Sequence, residues 1–187
     1  MKKLTFLPLT IAVVLTLFVI ASCSKKAGNP MPAVKATLYD SLGGPVLVAD
    51  PANAGKMIEK GSLGIRSVID STIFVIAADS RINGHFTVLL SEVGKGNLTG
   101  FTALSNNLTV FVAVATGAKD YTYGGLSMTD AHNPATNPRM NGKATSADFD
   151  AFVDDLVLGA QKNGLPANLI NSVGAIVETL RSQVVQM

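Results

Sequence analysis

Residues 125–134 read GLSMTDAHNP. The chain of 187 residues has two histidines, and one of them, His132, lies here. Met128 precedes it by four positions, so on a helix both side chains leave the same face. The residues alone leave two readings open. His132 is a histidine near a helix end, satisfied by a backbone carbonyl. Alternatively it lines a flat apolar cofactor, one ring nitrogen binding a metal while the other donates to a carbonyl and fixes the tautomer. The following residues, NPATNPRMNGKAT at 133–145, hold two Asn-Pro pairs and an Asn-Gly, which mark a loop.

Outward from this stretch the pattern is helical. In IRSVIDSTIFVIAA, the residues Ile65, Val68, Ile69, Ile73 and Ile76 recur at helical spacing, although the β-branched content also suits a strand. Leu104, Leu108, Phe111, Val112 and Ala115 share a second face, and Phe149, Phe152, Val153, Leu156 and Ala160 a third. The last helix carries Ile170, Val173, Val177, Leu180 and Val184. Thr145 or Ser146 suits the N-cap of the third helix, Gly164 a left-handed end, and Pro166 the first turn of the next. Residues 45–64, PVLVADPANAGKMIEKGSLG, are expected to form a turn-rich loop. Short connections between amphipathic helices predict an all-α domain from about residue 37 onward.

The N-terminus predicts an export route. Lys2 and Lys3 precede the apolar run LTFLPLTIAVVLTLFVIAS, which ends at Cys23. This is the form of a bacterial export signal; the run barely reaches the ~20 residues that a permanent span needs. Cys23 is the only cysteine, so no intrachain disulfide is available. Ile20-Ala21-Ser22-Cys23 resembles a lipoprotein lipobox, which implies lipidation at Cys23, a signal over 1–22, a tether over 23–36 and a domain over 37–187. Ser24 after the cysteine implies the outer membrane of a bacterial envelope. Loss of Lys2 and Lys3 from the 15 basic residues leaves 13 against 13 acidic, a balance that argues against nucleic-acid binding. Composition is 48% hydrophobic and 15% charged, too apolar for a disordered chain. A Cys/His zinc site, an EF-hand, a P-loop and a Rossmann glycine pattern are absent from the sequence.

Several segments together carry a family resemblance. TLYDSLGG at 37–44, IRSVID with AADSRINGHF, Met-x-x-x-His at 128–132, DFDAFVDDL, and NGLPANLINSVGAIVETL follow one another in the order of the group 1 truncated globins. The resemblance implies a two-over-two helical globin fold, with an inserted segment after the N-terminal motif, that binds haem. It implies that His132 is the proximal iron ligand, with Met128 beside its ring and Phe86 stacked on the haem. Leu104, Leu108 and Phe111 fall on the distal helix face.

The chain also departs from the family. Ile73, with Thr72 beside it, stands where group 1 globins place a tyrosine, and Leu108 where they often have a glutamine. The distal pocket is therefore expected to be apolar, with Thr72 as its one candidate donor. Such a pocket suits CO or NO and holds polar O2 less well, since a missing hydrogen bond costs ~1 kcal/mol or more. Asn107 replaces the usual basic partner of a haem propionate, and Arg139 or Lys143 are candidate substitutes. His85 is either a surface residue or a second axial ligand. The expected function is a membrane-anchored haem protein that binds a diatomic gas or passes electrons to a redox partner. The alternative is a haem-free globin scaffold serving as a structural or partner-binding lipoprotein.

Overall fold

The computed structural model describes residues 35–187; the expected signal, Cys23 and most of the tether lie outside them. The first described element is a single turn, α1 (Leu38–Ser41), opened by a reciprocal capping box between Thr37 and Asp40. It positions Tyr39, which is buried, with its ring against Gly61 and its hydroxyl donating to Glu59. A Cβ at Gly61 would stand 2.8 Å from that ring, so the close approach needs a glycine.

The expected loop at 45–64 is instead a β-hairpin followed by a helix start. Strands β1 (Leu47–Ala49) and β2 (Met57–Glu59) pair antiparallel, with Val48 opposite Ile58. The turn between them is closed by Asp50, whose backbone N–H donates to Lys56 O and whose carboxylate accepts from Ala52 N. That carboxylate also holds Arg66 at 2.7 Å, fastening the hairpin to the next helix. Strands of three residues are too short for apolar alternation to speak in the sequence.

Helix α2 (Lys60–Ala78) is the central element, packed against α4 (Thr99–Thr116) and α6 (Ser146–Lys162). Its buried Ile65, Ile69, Ile73 and Ile76 explain why it is long and apolar enough to cross a bilayer by composition. A 3-10 turn (Asn83–Phe86) leads into α3 (Thr87–Gly94) and α4 (Thr99–Thr116). The face of α4 that beds most deeply is small: Gly100, Ser105, Thr109, Ala113 and Thr116. The leucines predicted for that face, Leu104 and Leu108, are only half-buried. Gly117, at φ 104°, ends the helix in the left-handed conformation.

Helix α5 (Met128–Ala131) is one turn long, capped by Ser127. Helix α6 (Ser146–Lys162) starts at Thr145 through a second capping box with Asp148 and ends before Gly164, at φ 68°. Helix α7 (Ala167–Glu178) begins one residue later than expected, because Pro166 has an extended ψ of 144° and serves as its cap. The last helix is broken at Thr179–Leu180, and α8 (Arg181–Val184) is a separate turn. The break lets Val177 and Val184 pack in one cluster with Phe149 and Leu156, while Arg181 lies 4.3 Å over the Phe149 ring.

Candidate functional site

A cavity of about 760 Å³ opens between α2 and α4 on one side and α5, α6 and α7 on the other. Its size falls within the ~300–1,000 Å³ of ordinary small-molecule sites. Ile73 of α2 and Leu104, Leu108 and Phe111 of α4 form one wall; Met128, His132, Phe149 and Val153 form the opposite one. Phe86 lines it from the turn after α2. The structure thus brings together every residue that the sequence pointed to as cofactor-binding, although the four-residue α5 carries only Met128 within its helical span.

His132 occupies the C-cap of α5. Its ring Nδ1 lies 2.8 Å from the carbonyl oxygen of Met128, the residue one turn earlier. A carbonyl only accepts, so Nδ1 carries the proton and Nε2 has a free lone pair. Among the described residues the ring makes no other hydrogen bond. Burial pushes its pKa below the ordinary value, opposed by the Met128 carbonyl and aided by the nearby His85. The result is an imidazole favoured in its neutral form, in the wall of an apolar cavity. The first reading of the opening stretch is what the geometry shows, a ring nitrogen on a backbone carbonyl, and the second nitrogen has no hydrogen-bond partner among the described residues.

The loop after His132 completes the support. Asn137 Nδ2 donates to Ala131 O at 2.7 Å, and Thr136 Oγ1 donates to Asp130 O at 2.8 Å, so the end carbonyls of α5 are satisfied from the loop. Neither residue was picked out from the sequence. Asparagine and threonine in a turn-rich stretch carry no signal of which distant carbonyl they meet.

On the opposite wall the hydroxyl closest to Ile73 is committed elsewhere, and Thr99, at the start of α4, lines the cavity only as an exposed residue. Thr72 lines the cavity, but its Oγ1 donates to Val68 O at 2.9 Å within α2. Its side chain lies against Gly159 of α6, whose missing Cβ would overlap that oxygen. The expected donor is thus spent on its own helix. Tyr123 packs edge-on to Phe111 at 5.2 Å, and its hydroxyl donates to Leu126 O. Tyr121 is edge-on to Tyr39, in the cluster beneath the hairpin.

His85 also reaches the cavity rim, but both its nitrogens are occupied. Nδ1 is 2.7 Å from Asn141 O, and Nε2 is 3.2 Å from Asp148 Oδ2. It is not placed to act as a second axial ligand. Of the two candidate cations, Arg139 lines the cavity, paired with Glu92 of α3, whereas Lys143 is exposed and lines none of it. Asn107 is exposed at the rim.

No protein-family model and no curated protein sequence matches the chain. Solved structures do. The truncated hemoglobin from Tetrahymena pyriformis in its Fe(III) form superposes with a TM-score of 0.58 at 18% identity, over 81% of this chain and 100% of that one. Two single-residue variants of the same hemoglobin, also in the Fe(III) form, superpose with TM-scores of 0.57 and 0.58 at the same identity and coverage. At that identity the likeness speaks for the backbone arrangement, and the arrangement is specific: the chain has the truncated-globin fold, with a β-hairpin inserted between α1 and α2.

Proposed function

We propose that this protein binds haem in the cavity, where His132 Nε2 would hold the iron. The observation that carries the reading is the ring itself: a half-buried imidazole that lines an apolar cavity of about 760 Å³, with Nδ1 committed to Met128 O and Nε2 without a hydrogen bond among the described residues. Neutral histidine is the usual axial ligand in globins, and a carbonyl on the far nitrogen raises its basicity and fixes its rotation. Phe86, Leu104, Leu108, Phe111 and Met128 supply the apolar surface that a flat macrocycle needs. When bound, haem iron supplies an open coordination position for a diatomic ligand, or a one-electron couple for a redox partner.

The residues then do the following. His132 would hold the iron, and the Met128 carbonyl, by accepting from Nδ1, keeps the imidazole proton off Nε2. Ile73 and Leu108 exclude water from the distal side without offering a donor. Around Ile73 and Leu108 the cavity therefore discriminates by size and apolarity rather than by hydrogen bonding. Lipidation at Cys23 would place the domain at a bacterial outer membrane, which mass measurement of the mature chain tests.

The direct experiment adds haemin to the purified protein and to its His132→Ala variant and records absorption spectra. Wild type gives a sharp, shifted haem band at one equivalent; the variant does not. Identical spectra, or no band in wild type, overturn the assignment. The second outcome favours the haem-free scaffold, a reading to which the hydrocarbon patch of Ile73 and Leu108 lends its weight.

A further inference from the structure

The loop 133–145 is tied to both sides of the cavity. On the His132 side, Asn137 and Thr136 hold the end carbonyls of α5. On the far side there are two fasteners. Arg139 grips Glu92 of α3 with both terminal nitrogens, each at 2.8 Å. The pair lies across the first turn of α4, in the space that a Cβ on Gly100 would need; such an atom would stand 2.6 Å from the Arg139 guanidinium. The guanidinium also holds the Glu92 carboxyl below its ordinary pKa. Asn141 makes the second fastener. Its N–H donates to His85 O at 3.1 Å, its Nδ2 donates to Gly84 O at 2.9 Å, and its own carbonyl faces His85 Nδ1 at 2.7 Å. Between these ties, Asn137, Arg139 and Met140 line the cavity.

A loop that merely connected α5 to α6 would have no need of a bidentate pair to α3. We infer that residues 133–145 form a strap over the open edge of the cavity. Undoing its two fasteners, Arg139–Glu92 and Asn141–His85, sets the rate at which a flat apolar ligand enters and leaves. For haem as that ligand the inference rests on the proposed function. Arg139 and Asn141 are positioning residues: they act through the loop, which in turn carries the supports of α5. The bidentate fork is the part of the device that lysine cannot copy. An exposed ion pair is weak in water. A strap built on one opens readily, while the backbone ties of Asn141 return it to the same register.

The test is a charge exchange on the full chain. Arg139→Glu and Glu92→Arg each put like charges at the fastener, and the double variant restores a pair. Loss of haemin to excess apomyoglobin is expected to speed up about ten-fold in each single variant, ~1.4 kcal/mol of barrier. In the double variant it returns to within about three-fold of wild type, and Arg139→Lys falls between. Amide hydrogen exchange on the haem-free proteins should rise across 133–145 in the single variants and not in α2 or α6, which separates a loosened strap from a damaged fold. Haemin loss that is unchanged in the single variants, or not restored in the double, overturns the strap. If wild type takes up no haemin, the haem reading fails, and the same variants are judged on the rate at which anilinonaphthalene sulfonate enters the cavity. Faster uptake in the single variants then upholds the strap, and equal uptake overturns it.

Discussion

The two walls of the cavity are built on opposite principles. The His132 wall is wired: a ring nitrogen on a carbonyl, two side chains from the loop on the next carbonyls, and Phe149 pinned beneath Arg181. The α2–α4 wall is unwired, and its Ile73, Leu104 and Leu108 present only hydrocarbon. Each wall mixes buried and half-buried residues: Phe149 is 2% and Ile73 7% exposed, whereas the leucines of α4 are half-buried. One wall fixes a ligand in place, and the other sets what fits beside it.

The largest effect should come from the wired wall. His132→Ala removes the one uncommitted nitrogen and should abolish the haem band, while leaving the helical circular dichroism of the haem-free protein unchanged. Retention of a wild-type spectrum would break the contrast outright. A second asymmetry concerns stability. Phe149→Ala empties a packed core position and should cost about 3–5 kcal/mol in urea unfolding. Leu108→Ala, already beside open space, should cost under about 2 kcal/mol. Equal losses would mean that the distal wall is collapsed in solution.

Titration sharpens the picture from another side. Asp155 of α6 is 1% exposed, and burial, together with nearby Asp79, pushes its carboxyl up to about 6 against the pull of Arg81. Its folded pKa lies above the unfolded one, so the native state binds the extra proton. The stability from the neutral acid is present below about pH 4 and is lost as pH rises through 6. His132 runs the other way: burial lowers its pKa, so stability from the neutral ring is present above 6.5 and is lost as pH falls below it. Thermal melts of the haem-free protein should show the high-pH penalty vanish in Asp155→Asn and the acid penalty shrink in His132→Leu. Unchanged pH profiles would show that neither group titrates in the window its burial dictates.

Much of this contrast was legible in the amino-acid order. Apolar spacing located α2, α4, α6 and α7 because each spans three or more turns, long enough for a 3.6-residue period to stand out. The caps at Thr145 and Gly164 were legible because a side-chain oxygen or a positive φ is a local requirement. The hairpin was not, since three-residue strands carry no period. Nor was the break at Thr179, where the apolar spacing runs on through the kink and only the backbone changes. The cavity residues were found through the order of five segments and not through any one of them. The Arg139–Glu92 and Asn141–His85 ties span 47 and 56 positions, and nothing local marks them.

The distal wall can be rewired with a single donor. Leu108→Gln should slow dissociation of a polar diatomic ligand by about five- to ten-fold, the worth of one hydrogen bond of ~1 kcal/mol or slightly more, with little change for CO. Flash photolysis and stopped-flow measurements read this directly. Equal slowing of both ligands would point to steric blocking instead of a new bond.

The smallest effect is the most diagnostic, because the sequence and the geometry disagree about it. Thr72 sits beside Ile73 and looks like the one hydroxyl within reach of a distal ligand. In the fold its proton belongs to Val68 O, and its oxygen rests where a Cβ of Gly159 would be. Thr72→Val keeps the shape and deletes only that donor. If the hydroxyl serves helix α2 and the α2–α6 contact, ligand dissociation in the variant should match wild type within about two-fold, and the loss should appear as roughly 1 kcal/mol in unfolding. A several-fold faster release, with stability intact, would show instead that the hydroxyl swings from Val68 to the ligand, and that the distal wall hides one wire after all.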